Sequence, residues 1–273
     1  MDLTSVRELV DARCALPWQP GDAWLAGGTA LFAEPQPGVT RLRDLAVMEW
    51  PPWEIQDDHL VIAATCTVAQ LLALTQDPDA PWPRARALIT ACCRAFSSSF
   101  KVWNTATVGG NLCLALPAGP MISMAVALDG MCRLLAPDQR ERLVPAADFV
   151  TGAGRTLLLP GEVLRSVTLP AAALARHTTV HRMSLRPHGR SAALVTGTYA
   201  PDTGRLEVVV TAATRRPLTA HFVRPPSPPV LRARLRELLE PGLIVDDVHG
   251  HPAWRRQVTQ QLAEAARHDL MGE

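Results

Sequence analysis

The sequence predicts an α+β fold in two parts, and three features carry that prediction. Two short Gly-Gly turns, Ala26-Gly27-Gly28-Thr29 and Thr107-Val108-Gly109-Gly110-Asn111, each follow a β-prone run and lead into another apolar stretch. Up to Pro170, strand-like and helix-like stretches are interleaved. Beyond it, three alternating runs of strand character are followed by two helical ones.

Taken in order, Ser5 to Cys14 has a helical spacing of apolar residues, and Ala23 to Leu25 reads as a short strand entering the first glycine turn. Arg41 to Ala46 is a further strand, and Trp50-Pro51-Pro52-Trp53 breaks any continuation. Leu60 onward is a strand that passes into a helix over Val68 to Leu74, and a Pro-rich connection follows. Arg84 to Phe96 places Ala87, Leu88, Ala91, Cys92 and Ala95 on one side of a helix, ended by Ser97-Ser98-Ser99. Met121 to Leu128 is an apolar helix behind the second turn and Cys132 to Leu135 a buried strand. Leu143 to Phe149 fits a strand and short turn, and Thr156 to Leu159 a strand edge. In the second part, His177 to Leu185, Ala192 to Tyr199 and Arg205 to Ala212 form a three-stranded meander, with Pro201-Asp202-Thr203-Gly204 as a turn. Arg224 to Pro229 is an extended linker to helices over Leu231 to Leu239 and Ala253 to Leu270.

Composition narrows the function classes. The chain has 273 residues, 48% of them hydrophobic and 19% charged, enough for an ample core. A net charge of +1 with scattered basic residues gives no case for nucleic acid. No apolar run is long enough to span a bilayer, and Met1 to Glu8 lacks the pattern of a signal peptide, so the expected compartment is the cytoplasm. The six cysteines, at 14, 66, 92, 93, 113 and 132, form no Cys-x-x-Cys pair and read as buried reduced thiols. His177, His181, His188 and His221 lack metal-ligand spacing.

The motifs exclude several chemistries. No Gly-x-Gly-x-x-Gly follows a strand, and Gly152-Ala153-Gly154 lacks the third glycine, so a Rossmann site is unsupported. There is no Gly-Lys-Ser/Thr for a P-loop, and Ser97 to Ser99 has no nucleophile elbow around it. The Gly-Gly turns suit a different task. Glycine leaves no Cβ between its N–H and an incoming ligand, and successive N–H groups can form a nest for an anion such as a pyrophosphate. Thr29, Thr107 and Asn111 add neutral hydrogen-bonding groups beside them. The expected arrangement puts the anion between the turns, on backbone N–H groups of residues 27–30 and 109–111.

Both segments resemble those of a known family. Trp24-Leu25-Ala26-Gly27-Gly28-Thr29-Ala30-Leu31 and Asn104-Thr105-Ala106-Thr107-Val108-Gly109-Gly110-Asn111-Leu112 are similar to the two flavin-binding segments of the medium, FAD-binding subunits of molybdenum hydroxylases, the xanthine dehydrogenase and carbon monoxide dehydrogenase type. The likeness extends to Leu60 to Thr67, to Gly161 to Pro170, and to Val245 to Gly250 followed by Trp254-Arg255-Arg256. The resemblance implies a two-part FAD-binding domain of the vanillyl-alcohol oxidase or PCMH type over 1–172, with subdomains of about 1–55 and 56–172. A small C-terminal α+β domain with a three-stranded antiparallel sheet would occupy 173–273. It further implies an electron-transfer subunit, holding FAD and working with a large molybdopterin-binding subunit and a small 2Fe-2S subunit. Electrons would pass from the 2Fe-2S clusters through FAD to NAD+ or another acceptor.

The implied cofactor-binding residues are Ala26, Gly27, Gly28, Thr29, Ala30 and Leu31 in the first turn. Thr107, Val108, Gly109, Gly110 and Asn111 make the second, with Leu164 and Arg182 near the flavin ring. From the residues alone, Leu164 is equally a core leucine and Arg182 a surface charge. Three positions depart from the family pattern: Pro120 where an aspartate is usual, Trp103 in place of an arginine, and Ser191 where an acid often stands. Two other functions stand beside this one: a flavin-poor or flavin-free scaffold subunit of the same kind of complex, motivated by Pro120 and Trp103, or a stand-alone flavin oxidase with its own substrate pocket.

Overall fold

The computed structural model describes residues 3–14 and 16–272; Met1 and Asp2 of the N-terminal stretch lie outside them. The first sheet holds β1 (Glu8–Asp11), β2 (Asp22–Leu25) and β3 (Arg41–Asp44) in the order β1-β3-β2, all parallel. The helix expected over Ser5 to Cys14 is therefore replaced by a strand. β3 offers backbone donors and acceptors on both edges, and β1 satisfies one edge in the register Glu8↔Arg41 to Asp11↔Asp44. Non-local pairing outweighs a weak helical spacing over so short a run. Asp22 is the ionic centre of this sheet, accepting from Arg41 Nε at 2.7 Å and Arg43 Nε at 2.9 Å. These guanidinium groups hold its carboxyl down at a pKa of about 2. Arg43 also lies over Trp18 and Trp24, and Trp24 Nε1 donates to Glu162 O at 2.9 Å, joining this sheet to the next unit.

A five-stranded antiparallel sheet follows, β4 (Trp53–Gln56), β5 (His59–Ala63), β6 (Met131–Leu135), β7 (Glu141–Pro145) and β10 (Val163–Leu169), in the order β4-β5-β10-β6-β7. β4 starts directly after the Pro-Pro break and pairs with β5, so Trp53 to Gln56 belongs to this sheet. Five helices stand between β5 and β6: α1 (Val68–Gln76), α2 (Pro83–Ala95), α3 (Phe100–Trp103), α4 (Val108–Leu114) and α5 (Pro120–Ala127). Thr67 starts α1 through a capping box with Gln70. Leu60, Ile62, Leu71, Leu88, Leu112, Met121, Leu134 and Val167 share one buried core with these helices. A short turn α6 (Ala146–Phe149), the hairpin β8 (Val150–Gly152) and β9 (Arg155–Thr156), and α7 (Ala171–Leu174) after β10 complete the unit.

The C-terminal part is a meander of β11 (His177–Met183), β12 (Ala193–Tyr199), β13 (Leu206–Thr211) and β14 (Leu218–Phe222). The expected three strands are present, and β14 adds a fourth at the edge. Helices α8 (Pro228–Leu238) and α9 (Pro252–Met271) pack on one face through Leu231, Leu235, Val258, Ala263 and Ala266. α2 and α5 take the other, where Ser123 and Thr211 share a buried hydrogen bond and Ala212 N donates to Pro117 O at 2.7 Å. Arg255, 1% exposed, donates to Gly250 O, Ala192 O and Ala212 O and pairs with Asp247, which pins the start of β12.

Cys66, Cys92, Cys93 and Cys132 are buried, while Cys14 is exposed, against expectation. Burial pushes the Cys66, Cys93, Cys113 and Cys132 thiols up to about 12. Among the described residues, no helix is long and apolar enough to cross a membrane, and no three His, Cys, Asp or Glu gather as metal ligands.

Candidate functional site

The two glycine turns, remote in sequence, meet in space. Gly27 lies so close to the chain entering the second turn that an added Cβ would sit 2.7 Å from the carbonyl carbon of Thr105 and overlap its oxygen. Gly28 adopts a left-handed φ of 67°, and a Cβ there would meet the Phe32 ring at 2.7 Å. The chain then coils once, with Phe32 N donating to Gly28 O at 2.8 Å and Ala33 N to Ala30 O at 3.1 Å.

One coil leaves its leading N–H groups without intrahelical partners, as any helical start does. Among the described residues, the backbone N–H groups of Gly27, Gly28, Thr29, Ala30 and Leu31 donate to no acceptor. All five residues are partly exposed, and no charged side chain stands between Ala26 and Ala33. This is a row of neutral donors open to an incoming group, the arrangement of an anion-binding nest.

The second turn is built the other way. Val108 N donates to Cys66 O at 2.8 Å, Gly109 N to Ala64 O at 2.9 Å, Gly110 N to Thr107 Oγ1 at 3.0 Å, and Asn111 N to Thr107 O at 3.0 Å. The donors expected at 109–111 are thus already in use. Thr107 is the buried N-cap of α4, and Gly109 packs against the Ala64 backbone. The Asn111 side chain accepts from Met121 N at 3.0 Å, capping α5 directly after Pro120. Pro120 is buried at the first position of that helix, where a missing N–H costs nothing. Trp103 Nε1 donates to Phe96 O at 3.0 Å and ties α3 to the end of α2. These contacts cap and join the helices from α2 to α5. A Thr followed by an apolar run marks a helix N-cap, and that signal was available at Thr107 in the sequence.

Leu164 is 1% exposed, within β10 and facing the core, so it presents no surface to a ligand. Arg182 lies on β11. Its Nε donates to Ser191 Oγ at 2.7 Å and its Nη2 to Ser97 Oγ at 3.2 Å and to Gly189 O. It lines a cleft of about 310 Å³ with residues of α2 and β12. The sequence marks Ser97 only as part of the run that ends a helix and carries no signal at Gly189, yet both hold Arg182.

Residues 3–172 match the family described as the FAD binding domain in molybdopterin dehydrogenase. The chain belongs to that family. The matched region contains both glycine turns and the whole of the first two sheets. Over 70 residues the chain is 34% identical to a xanthine dehydrogenase of Oryza sativa subsp. japonica, covering 26% of this chain and 5% of that protein. Over 122 residues it is 27% identical to xanthine dehydrogenase 2 of Arabidopsis thaliana, covering 42% and 9%. The chain thus spans less than a tenth of the length of these relatives. Its fold is that of a chain of quinoline 2-oxidoreductase from Pseudomonas putida 86, with a TM-score of 0.77 at 20% identity over 99% of this chain and 100% of that one. A chain of the reconstituted CO dehydrogenase from Oligotropha carboxidovorans superposes with a TM-score of 0.82 at 18% identity, over 98% and 99%.

The residues present fit FAD. Five open amides match a pyrophosphate, and the Gly27–Thr105 approach leaves the two turns side by side with no side chain between them.

Proposed function

We propose that this chain is the FAD-carrying electron-transfer component of a molybdenum hydroxylase-type complex, with the cofactor's pyrophosphate held by the N–H groups of residues 27–31. The single observation behind this reading is the run of open amides on the first turn, set against a second turn whose amides from Val108 to Asn111 are all engaged. The first turn binds, and the second, through Thr107 to Asn111, forms a rigid facing wall. Because the donors are backbone groups fixed by β2 and by the Gly28–Phe32 coil, little order has to be gained on binding. Leu164 supports the sheet from within the core, and Pro120 supports α5. Neither is needed as a donor or acceptor.

Bound FAD supplies the redox chemistry, accepting and releasing electrons at its ring. The chain's own part is to hold and orient the cofactor and to limit its exposure to water. Its partners in this reading are a large molybdopterin-binding subunit and a small 2Fe-2S subunit, with NAD+ or another molecule as final acceptor. Support for the partners comes from the family membership and from the likeness to chains of CO dehydrogenase and quinoline 2-oxidoreductase.

The test is FAD retention combined with amide exchange. The purified chain, mixed with FAD and desalted, is expected to keep the flavin's visible bands. Peptides covering residues 26–32 gain protection from hydrogen exchange, whereas those covering 107–112 are already slow and change little. Retention of stoichiometric FAD with residues 26–32 unprotected would remove the pyrophosphate assignment. No retained flavin at saturating FAD would remove the cofactor reading itself.

A further inference from the structure

Apart from the glycine turns, a second site lies on the face of the five-stranded sheet turned away from its helices. β10 carries a bulge where it pairs with β6: Arg165 is the extra residue between the pairs Leu164↔Leu134 and Ser166↔Arg133. A bulge re-aims the side chains beside it, and here Arg165 and Ser166 line one small cavity together with Thr168, Glu54, Arg133 and Val61. Val61 alternates along β5 with the core residues Leu60 and Ile62, and Leu164 belongs to that same core. The cavity therefore opens on the side of the sheet opposite to Leu164. We infer that it binds a small oxyanion that keeps one proton, of the bicarbonate type. Its volume of about 70 Å³ admits a few heavy atoms and lies far below the roughly 300–1,000 Å³ of cofactor-sized pockets.

Unused donors give the ligand its sign. Arg165 stacks on Trp50, its guanidinium carbon 4.2 Å from the ring centre, and among the described residues none of its nitrogens reaches an acceptor. Burial, and then the charge of Arg133, draws Arg165 below the usual arginine range. Arg133 itself is already neutralised by Glu141, through Nε at 2.7 Å and Nη2 at 2.6 Å. Ser166 is 1% exposed, and among the described residues its hydroxyl has no partner, nor has that of Thr168. A buried hydroxyl in this state lacks the bond that buried polar groups ordinarily make. One unpaired cation and two hydroxyls form a donor set for the oxygens of an anion. Glu54 adds a second demand. One of its carboxylate oxygens accepts from Gln56 Nε2 at 2.6 Å, and the other has no donor among the described residues. An oxyanion without a proton brings like charge to that oxygen, whereas one bearing an O–H can donate to it. Bicarbonate meets both demands: its deprotonated oxygens accept from Arg165, Ser166 and Thr168, and its hydroxyl donates to Glu54.

Heteronuclear NMR of the full chain tests this, reading the Arg165 Nε–H and the backbone amide of residue 166 during titration with bicarbonate at constant ionic strength. Nitrate serves as the planar isostere that carries no proton. Bicarbonate is expected to shift both signals saturably, and nitrate to bind at least about tenfold more weakly. Arg165→Gln should weaken bicarbonate by roughly tenfold or more, and Ser166→Ala by about threefold to tenfold. The serine variant keeps the arginine and covers the case where Arg165→Gln fails to fold. Glu54→Gln offers an amide N–H in place of the carboxylate, and should bring nitrate to within about threefold of bicarbonate. Saturating FAD should leave the bicarbonate titration unchanged, and flavin retention by each variant is read separately from its absorbance. Absence of a saturable shift, equal binding of nitrate by the wild type, insensitivity to Arg165→Gln or Ser166→Ala, an unaltered preference in Glu54→Gln, or displacement of bicarbonate by FAD would each overturn the assignment.

Discussion

Gly27 and Thr105 touch across the candidate site: the first glycine turn is pressed onto the backbone carbonyl of the segment that leads into the second. No side chain can be inserted between them. Segments separated by nearly half of the flavin-binding domain are thereby placed as one surface, and the partly exposed residues 27–31 keep their amides open beside that junction.

Gly27→Ala should therefore cost about 1–3 kcal/mol of stability, the usual range for overpacking, and should abolish FAD retention. The control is Gly38→Ala, where an added Cβ meets nothing within 4 Å. Thermal melts and flavin content of the two variants decide the matter. A Gly27→Ala protein that melts with the control and keeps its flavin would show that the junction is looser than described.

Asn111 acts as a bracket between the second turn and α5. Removing its acceptor in Asn111→Ala leaves the N–H of Met121 without its cap, at a cost of about 1–2 kcal/mol. Asn111→Asp preserves an acceptor oxygen at a helix N-terminus and should recover most of the loss. Denaturant unfolding of the three proteins gives the order directly: wild type and Asn111→Asp close together, Asn111→Ala below both.

Asp22 links the first sheet to pH. Its folded pKa, near 2, lies below the ordinary carboxylate value of about 3.9. Its contribution is therefore fully present above that ordinary value and is lost as pH falls toward 2. The shift corresponds to about 2–3 kcal/mol. Asp22→Asn should lower stability at pH 7 by at least that amount, and the gap from wild type should shrink between about pH 4 and 2. A gap that stays constant down to pH 2 would assign the loss to packing alone.

Thiol reactivity separates the cysteines. Cys14 is exposed, while burial holds the Cys66, Cys93, Cys113 and Cys132 thiols far above neutral pH and raises Cys92 as well. Titration of the native protein with a chromogenic disulfide should give one fast thiol, and six only after denaturation. The thiolate is the reacting species, so the four buried thiols and the half-buried Cys113, all with raised pKa, stay silent near neutral pH. A second fast thiol would point to local opening of α2 or α4.

The sequence by itself determined the glycine turns, the longer strands and helices from Leu60 to Leu270, and the family they belong to. These are local properties: turn residues, helix caps and apolar periodicity act within a few positions. Only the tertiary structure decided which donors of the site are open. Val108 and Gly109 lose theirs to Cys66 and Ala64, partners far along the chain, while residues 27–31 keep theirs because a single coil cannot use its own leading amides. The same reason covers β1, whose run has helical spacing but pairs with β3, and β14, too short to be read before β13 offered it an edge. It also covers Arg182, whose cleft exists because α2 from the first part packs along β11 of the second. Hydrogen-bond partners and clefts are set by contacts between distant segments, and no window of the sequence contains both sides of such a contact.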